Sequence, residues 1–323
     1  MLPLINLKNI QDARKAISPF VTSTPLVRSQ FLSDFCGGNV FLKLENLQVT
    51  KAFKIRGAFN RLLHLSAEEK EGIVTASAGN HGQAVAFAAT KLDFPARIVV
   101  PKTAPKIKID GIKKYGVELI LFGNTYDEAE RKAKEFSRKD GCAYISPYAD
   151  ELIIAGQGTI GLEISEALPN VDAVVVPVGG GGLISGVSIA IKSIRPSVQV
   201  IGVQSEASSA MYDSLKAGEI VVQKPKAKTI AEGLSGGVEK GSVTFQIVQE
   251  YVDKVLLVKE ETIRRAVYLL WNNEKQVVEG SGAAAIAPII ENRDLFAGIT
   301  FVAVITGGNI DDKLFQSILA SER

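Results

Sequence analysis

The stretch VVVPVGGGGLISGVSIAIKSI, residues 174–194, decides the fold class. It begins as an apolar run, passes through Gly179, Gly180, Gly181 and Gly182, and ends in an apolar helical pattern. An apolar run without alternation is typical of a parallel strand buried on both faces. Four glycines let the backbone turn tightly with several N–H groups pointing inward, at the positive end of a helix dipole. The stretch therefore predicts a strand, a phosphate-binding loop and a helix, although a simple tight turn is the alternative.

Similar apolar runs alternate with amphipathic helical patterns along the chain. Predicted strands occupy residues 40–45, 72–77, 96–101, 117–123, 171–178, 198–204, 252–258 and 299–306. Helical patterns, such as those at residues 125–139 and 260–275, lie between them. This alternation predicts an α/β protein with doubly wound, mainly parallel sheets. Four strands precede residues 146–150 and four follow them, which predicts two lobes with a ligand cleft at the carboxyl ends of strands.

Composition excludes several classes of function. The 323 residues include 37 basic and 35 acidic side chains. No cluster of basic residues is dense enough to indicate a nucleic-acid partner. The N-terminal stretch lacks the features of a signal peptide, and no apolar run is long enough to span a membrane, so we expect a cytoplasmic protein. Two cysteines, Cys36 and Cys142, and two histidines, His64 and His81, are too few for a disulfide framework or a zinc site.

The glycine loop is compatible with more than one phosphate compound. A dinucleotide is one candidate, because the strand after the loop ends near Glu206, where an acidic ribose ligand is expected. However, Ile184 and Ser185 stand where the third glycine of G-x-G-x-x-G should fall, and no nucleotide triphosphate motif is present. A single terminal phosphate fits the four adjacent glycines better, and an NAD-dependent oxidoreductase stays as the alternative from a different class.

The segment GLSGG, residues 233–237, matches the G-x-S-x-G pattern of serine hydrolases, with Ser235 as the nucleophile. In α/β-hydrolases the catalytic histidine follows the serine along the chain. No histidine follows Ser235, so this pattern does not predict a hydrolase.

Two further segments predict parts of a ligand site. In SAGNHGQAVAFAA, residues 77–89, a strand ends at Ser77 and a polar loop opens an alanine-rich helix, which suits a carboxylate. Ordinary helix capping by Ser77 or Asn80 is equally compatible with this pattern. In TKAFKIRGA, residues 50–58, Lys54 lies between apolar residues at the predicted start of a helix. A solvated helix face is the simplest explanation for Lys54 taken alone.

Five ordered motifs resemble one family. FKIRGA (residues 53–58), SAGNHGQA (77–84), AGQGT (155–159), PVGGGGLISG (177–186) and TGGNID (306–311) are similar to motifs of the serine/threonine dehydratases and serine racemases. These are pyridoxal-phosphate enzymes with the tryptophan-synthase β fold, and the similarity covers nearly the whole chain. The chain ends soon after the last motif, so we expect the short, catabolic type. The resemblance to the family also implies a homodimer.

The resemblance implies a domain division and a role for each matched residue. We expect a large cofactor-binding domain from residues 1–69 and 150–323, and a small domain from residues 70–149. Lys54 matches the lysine that forms a Schiff base with pyridoxal phosphate and then moves the α-proton. The other implied positions are Phe53 beside the ring, Asn80 at the ring hydroxyl, Gly179, Gly180, Gly181, Gly182 and Leu183 at the phosphate, Thr306 at the pyridine nitrogen, and Ser77, Ala78, Gly79, Asn80 and His81 around the substrate carboxylate.

The implied reaction is β-elimination from L-threonine or L-serine to 2-oxobutanoate or pyruvate plus ammonia. A neutral hydroxyl at Thr306 cannot hold a protonated pyridinium as a carboxylate would, so electrons released at Cα are directed toward Cβ. A serine racemase or a 3-hydroxyaspartate dehydratase of the same family is the alternative activity.

The sequence departs from its relatives at two places. Gln204 and Ala210 stand where metal-binding relatives carry carboxylates, so we expect no divalent metal site, although Glu206 lies nearby. Ala78 stands where serine racemases place a serine. Since a methyl group has no exchangeable proton, we expect a dehydratase with little racemase activity.

Overall fold

The computed structural model describes residues 5–66, 68–222 and 226–322. Residues 1–4, which begin the N-terminal stretch discussed above, lie outside the described part. The strands are β1 Leu26–Ser29, β2 Asn39–Leu44, β3 Ile73–Ala76, β4 Ala96–Val100, β5 Glu118–Leu121, β6 Ala143–Tyr144, β7 Ala173–Pro177, β8 Gln199–Ser205, β9 Lys254–Val258 and β10 Thr300–Ile305. The α-helices are α1 Leu7–Ile17, α2 Gln30–Cys36, α3 Lys54–Leu63, α4 Asn80–Leu92, α5 Lys106–Lys113, α6 Tyr126–Asp140, α7 Glu151–Ala167, α8 Gly182–Ile194, α9 Ala210–Ala217, α10 Val243–Tyr251, α11 Glu260–Glu274, α12 Gly280–Ala283, α13 Ala287–Glu291 and α14 Asp312–Ser321.

The strands form two sheets. The larger sheet has the order β1-β2-β10-β7-β8-β9, and the smaller sheet has the order β5-β4-β3-β6. All pairings are parallel except that of β1 with β2. The prediction of an α/β fold with mainly parallel sheets is confirmed.

The central strands are covered on both faces, as their sequences predict. All five residues of β7 are buried, and so are all four residues of β3. The antiparallel strand β1 lies at the edge of the larger sheet, where two of its four residues are exposed. Helices on both faces of the parallel sheets therefore supply the apolar cover that these strands need.

Each of the eight predicted strands coincides with an observed strand, but two short strands were missed. β1 has only two apolar residues, Leu26 and Val27, among its four, and β6 has only two residues. Both pair at the edge of a sheet, where a strand needs less apolar sequence to be stable. No described helix is both long enough and apolar enough to cross a membrane.

Helix α7 carries the AGQGT motif and packs between α3 and α8. A Cβ atom added at Gly156 would lie 2.6 Å from the carbonyl oxygen of Arg56, and one added at Gly158 would lie 2.8 Å from that of Gly186. The Gln157 side chain accepts a hydrogen bond of 3.2 Å from the amide of Gly57. The motif therefore holds α3, which begins at Lys54, close to the helix that follows the glycine loop.

Candidate active site

The glycine loop lies between the carboxyl end of β7 and the first turn of α8. The first hydrogen bond of this helix runs from the amide of Ser185 to the carbonyl of Gly181, over 2.9 Å. The amides ahead of Ser185 have no preceding helical turn to bind, so they can bind an anion at the positive end of the helix. Leu183 is buried within this first turn.

Neighbouring groups explain why side chains are absent from the glycine loop. Gly181 has a φ of +92°, a left-handed conformation that favours glycine. A Cβ atom at Gly180 would lie 2.5 Å from ring carbons of Tyr148, and one at Gly179 would lie 3.0 Å from the carbonyl oxygen of Gly233. The loop therefore has the tight backbone and the free amides that a phosphate group requires.

Lys54 is the first residue of α3 and is directed into the protein. Its Nζ donates a hydrogen bond of 2.7 Å to the carbonyl oxygen of Pro147. Burial lowers the pKa of Lys54 to about 8, because desolvation disfavours the ammonium. The ring of Phe53 lies 5.1 Å from Nζ. At neutral pH this amine loses its proton more readily than an exposed lysine does, which suits a nucleophile or a base.

The polar loop at residues 77–81 connects β3 to α4. The Ser77 hydroxyl accepts a hydrogen bond of 3.1 Å from the amide of Gly79. Apart from the residues next to it in the chain, the described structure has no atom within 4 Å of a Cβ position at Gly79. Ser77, Ala78, Gly79 and Asn80 are all partly exposed. The loop therefore presents polar groups and the N-terminal amides of α4 to open space.

The imidazole of His81 is buried. One ring nitrogen, Nε2, lies 3.0 Å from the carbonyl oxygen of Ile145, so Nε2 carries the proton and Nδ1 is an acceptor with no partner in the described part of the chain. Burial, together with the positive charge of Lys54, lowers the pKa of His81 to about 3. His81 is therefore neutral, and it contributes its backbone amide, rather than a cationic side chain, to the first turn of α4.

Asn80 and Thr306 provide two further polar groups. The amide nitrogen of Asn80 donates to Oε1 of Glu279 over 2.7 Å. Thr306 is buried, and its hydroxyl makes no hydrogen bond with any other residue that the structure describes. The hydroxyl can therefore donate to, or accept from, a ligand atom at this position.

Contacts link these groups into one site. The amide of Phe53 donates to the carbonyl of Thr306 over 3.1 Å, which joins the start of α3 to the end of β10. Glu279, the partner of Asn80, packs against Gly307, which follows Thr306. Pro147, whose carbonyl accepts from Lys54, directly precedes Tyr148, and the ring of Tyr148 packs against the glycine loop. These contacts bring the lysine, the polar loop, the hydroxyl and the glycine loop together.

Four residues of this site were not predicted from the sequence. Pro147 and Tyr148 lie in residues 146–150, which served only as a boundary between the two sets of strands. Glu279 lies in a glycine- and alanine-rich segment without a recognised pattern. Asn309, whose Nδ2 donates to Oδ1 of Asn80 over 2.8 Å, lies within the TGGNID motif but had no predicted role. An acidic residue in an otherwise apolar segment, VVEGSGAAA (residues 277–285), was the signal for Glu279.

The region expected to lack metal ligands contains a buried amide. Gln204 is fully buried, and its Oε1 accepts a hydrogen bond of 2.8 Å from the amide of Tyr212. Across residues 5–66, 68–222 and 226–322, no group of three or more His, Cys, Asp and Glu side chains is placed to hold a metal ion.

The serine of GLSGG does not lie in a hydrolase site. Glu232–Leu234 form a short 3-10 helix, and the amide of Ser235 donates to the carbonyl of Glu232 over 3.1 Å. The Ser235 segment therefore lacks the strand that precedes a nucleophile elbow.

The fold and this geometry define an α/β enzyme with a phosphate cradle beside a buried lysine. The chain belongs to the family described as pyridoxal-phosphate dependent enzymes, whose model matches residues 17–307. Membership of this family favours the single phosphate over the dinucleotide. The free loop amides, the lysine of lowered pKa and the free hydroxyl at Thr306 also fit pyridoxal phosphate, which carries a phosphate, an aldehyde and a ring nitrogen.

Relatives and solved structures resemble this chain over most of its length. An L-threonine ammonia-lyase of Thermotoga maritima is 48% identical over 320 residues, which cover 98% of this chain and 78% of the relative. The processed form of threonine deaminase isoform 2 from Solanum lycopersicum is 37% identical with a TM-score of 0.92, covering 97% of this chain and 87% of that one. Maize serine racemase is 33% identical with a TM-score of 0.91, covering 99% of this chain and 98% of that one.

Proposed function

We propose that this protein is a pyridoxal-phosphate dependent ammonia-lyase that converts L-threonine to 2-oxobutanoate, or L-serine to pyruvate, with release of ammonia. The observation that carries the proposal is the placement of Lys54, a buried amine of lowered pKa, in one site with the glycine loop. The choice of substrate is supported by the 48% identical relative, which is named for ammonia release from L-threonine.

Each end of the cofactor has a proposed partner in this chain. The backbone amides of residues 179–183 would bind the phosphate, since they lie at the positive end of α8. Lys54 would anchor the aldehyde carbon, with Phe53 beside the ring. Asn80 would bind the ring hydroxyl and Thr306 the pyridine nitrogen. These groups come from four separate elements, so the fold itself fixes their spacing.

The substrate carboxylate would bind the loop at residues 77–81. The Ser77 hydroxyl and the first amides of α4 are hydrogen-bond donors suited to an anion. Gly79 leaves room for the ligand, because nothing lies within 4 Å of its missing side chain. Neutral His81 supports this loop through Ile145 and does not add a positive charge.

Lys54 would also act as the base of the reaction. When bound, pyridoxal phosphate supplies an electron sink for negative charge at the α-carbon of the substrate. The Nζ of Lys54 takes the α-proton, and the bond from Cβ to the hydroxyl oxygen breaks with loss of water. The free 2-aminocrotonate or 2-aminoacrylate takes up water and gives the 2-oxo acid and ammonia. A base whose pKa lies near the working pH suits this proton transfer.

The neutral partner at Thr306 favours elimination. A threonine hydroxyl cannot stabilise positive charge on the pyridine nitrogen as a carboxylate would, so less negative charge is held in the ring. Loss of the β-hydroxyl is then favoured over return of the proton to Cα.

The same proposal includes the domain division, the oligomeric state, the location and the partners of the protein. We propose a large domain from residues 1–69 and 150–323, which would contain the larger sheet, and a small domain from residues 70–149. We also propose that the enzyme works as a homodimer in the cytoplasm, as the family resemblance implies. An amino acid is the proposed small-molecule partner, and nucleic acid, membrane and metal partners are not expected.

The decisive experiment measures ammonia and 2-oxo acid with the purified, cofactor-loaded protein. L-threonine, L-serine and 3-hydroxyaspartate are supplied separately, and D-threonine serves as the stereochemical control. We expect equal amounts of ammonia and 2-oxobutanoate or pyruvate from one or both of the first two substrates. Absence of ammonia from all the L-substrates, in a protein that shows the visible absorption of bound cofactor, would overturn the proposed activity.

A further inference from the structure

Three polar side chains form a hydrogen-bonded chain beside the proposed cofactor ring. The Nδ2 of Asn309 donates to the backbone carbonyl of Thr50 over 2.9 Å and to Oδ1 of Asn80 over 2.8 Å. The Nδ2 of Asn80 then donates to Oε1 of Glu279 over 2.7 Å. The chain therefore runs from the backbone at Thr50 through two amides to a carboxylate.

The order of donors and acceptors in this chain is fixed. A backbone carbonyl only accepts, so the Asn309 atom that faces Thr50 must be the amide nitrogen. Both hydrogens of that nitrogen are then used, and the Asn80 atom that faces it must be the oxygen. Asn80 consequently directs its own nitrogen toward Glu279, and one N–H of that nitrogen is left for another acceptor.

Glu279 is held in a confined place. A Cβ atom added at Gly307 would lie 2.6 Å from its Oε1, and the amide of Glu279 donates to the carbonyl of Gly307 over 3.1 Å. Two charged groups face Glu279 from a distance: Lys108 of α5 and Glu232 of the 3-10 segment, which pair with each other. Burial raises the pKa of Glu279 to about 7, with Asn80 and then Lys108 opposing the rise and Glu232 adding to it.

Neither electrostatics nor packing accounts for a carboxylate at this position. Within the described chain, no lysine or arginine forms an ion pair with Glu279. A partly buried carboxylate without a cation destabilises the folded protein unless it has a specific task. Its one side-chain partner is the residue proposed to bind the cofactor ring, which indicates what that task is.

We propose that Glu279 is a positioning residue that locks the Asn80 amide with an N–H directed at the ring oxygen of the cofactor. This inference rests on the proposed role of Asn80. Because the locked amide can only donate, the site binds the ring oxygen as an acceptor, in its deprotonated form. Without Glu279, the amide of Asn80 keeps its bond from Asn309 but loses the acceptor that holds its nitrogen in place.

A thermodynamic cycle between the protein and the cofactor tests this inference. The dissociation constants of pyridoxal phosphate, and of its analogue with hydrogen in place of the ring hydroxyl, are measured by equilibrium dialysis and visible absorption. Wild type is compared with Glu279→Ala, Glu279→Gln and Asn309→Ala. Glu291→Gln is the control, since Glu291 is exposed and bonded to the amide of Lys259.

We expect Glu279→Ala to weaken binding of pyridoxal phosphate about tenfold and binding of the analogue less than twofold, the usual loss for one hydrogen bond to a charged group. Glu279→Gln should show a smaller loss with the same selectivity, because its neutral amide oxygen still accepts from Asn80 but more weakly than a carboxylate does. Asn309→Ala removes the other end of the hydrogen-bonded chain. It should likewise weaken binding of pyridoxal phosphate more than binding of the analogue.

Equal losses for both cofactors in Glu279→Ala and Asn309→Ala would overturn the inference, since they indicate only a general disturbance of the site. Unchanged binding in both variants would overturn it as well. The measurement requires no turnover, so failure of the proposed lyase activity and failure of this inference are separate outcomes. The Gln variant keeps the test valid if the Ala variant does not fold.

Discussion

The Nζ of Lys54 donates a hydrogen bond to the carbonyl oxygen of Pro147, and the next residue, Tyr148, packs against the glycine loop. Residues 146–150 therefore contact the Lys54 amine through Pro147 and the glycine loop through Tyr148. A Cβ atom at Gly182 would lie 2.9 Å from the Cα of Tyr148, so the backbone of this segment packs directly against the first turn of α8. The relative position of the anchor and the phosphate site is therefore set by residues 146–150.

Replacing Lys54 with alanine should remove the enzyme's activity. The change deletes the residue proposed as both covalent anchor and base, so we expect ammonia release to fall by at least about 10³-fold and the visible absorption of the bound cofactor to change. The control is Lys139→Ala, because Lys139 is 71% exposed and pairs with Glu135 on α6. Ammonia release that stays near the wild-type rate in Lys54→Ala would show that another group is the base.

The reactivity of Lys54 in the cofactor-free protein should depend on pH with a midpoint near 8. Burial lowers the pKa of Lys54 to about 8, so its neutral fraction rises as the pH passes through this value. Lys139 is the internal control, since its hydrogen bond to Glu135 raises its pKa. Brief acylation at pH 7 to 10, followed by peptide mass spectrometry, gives the profile of each lysine. A midpoint for Lys54 above pH 10 would contradict the effect of burial.

A buried ionic cluster beneath α3 should be needed for stability. Arg56 pairs with Glu45 over 2.8 Å and with Glu163 over 2.6 Å, and Lys43 also binds Glu163. Burial opposes ionisation of Glu45, but Arg56 outweighs it and holds the pKa of Glu45 below its usual value. Replacing Arg56 with methionine would leave a fully buried carboxylate without its main partner.

We expect Arg56→Met to reduce the free energy of unfolding by about 3–5 kcal/mol, measured by urea denaturation with the cofactor absent. The matched control is Asp12→Asn, which breaks the exposed pair with Lys8 and should leave the free energy of unfolding nearly unchanged. A loss below 1 kcal/mol in Arg56→Met would mean that the cluster is not important for stability.

Removal of divalent metals should leave the activity unchanged. Gln204 is buried and uses its oxygen to accept from the amide of Tyr212, and Ala210 has no ligand atom in its side chain. Two carboxylates are thus absent where hard oxygen ligands would be needed. Ammonia release is measured after exhaustive treatment with a chelator. A large loss that Mg²⁺ restores, and that Na⁺ does not, is the result that contradicts this prediction.

The local parts of this structure could be predicted from the sequence. Residues 174–194 contain the strand, the loop and the helix in one uninterrupted pattern, and Lys54 lies at a helix start that the sequence indicates. The partners of these residues could not be predicted by such reasoning. Glu279 and Asn80 are 199 positions apart, and their contact depends on how β3 and β10 are brought together.

Short strands and contacts made by the backbone could not be predicted from the sequence either. The two residues of β6 form a strand only because β3 offers an adjacent edge, and Pro147 binds Lys54 through a backbone carbonyl, which no side-chain pattern reveals. The surroundings of the His81 side chain could not be predicted from the sequence either. Its position in the polar loop was predicted, but the burial of its imidazole against Ile145 depends on packing from another element.

Ala78 should make this enzyme a poor racemase. Racemisation requires an acid on the face of the substrate opposite Lys54, so that a proton returns to the α-carbon from that side. Ala78 is partly exposed in the loop proposed to bind the substrate, and its methyl group has no exchangeable proton. With Lys54 alone moving protons, the α-carbon either regains its proton on the original face or loses the β-hydroxyl. We therefore expect L-serine to give pyruvate with very little D-serine, and D-serine to be a poor substrate.

Replacing Ala78 with serine tests this explanation, because it adds one hydroxyl at the required place. A positioned acid is typically worth about 10²–10⁴-fold over water, so D-serine formation from L-serine should rise by at least tenfold while pyruvate formation continues. Chiral chromatography measures D-serine, and Ala78→Gly is the matched control, since it changes the size of the residue without adding a proton donor. Substantial D-serine from the unmodified enzyme would contradict the role given to Ala78, because water or another residue would then be delivering the proton. An equal rise in the serine and glycine variants would show instead that access of water, rather than the new hydroxyl, controls the outcome.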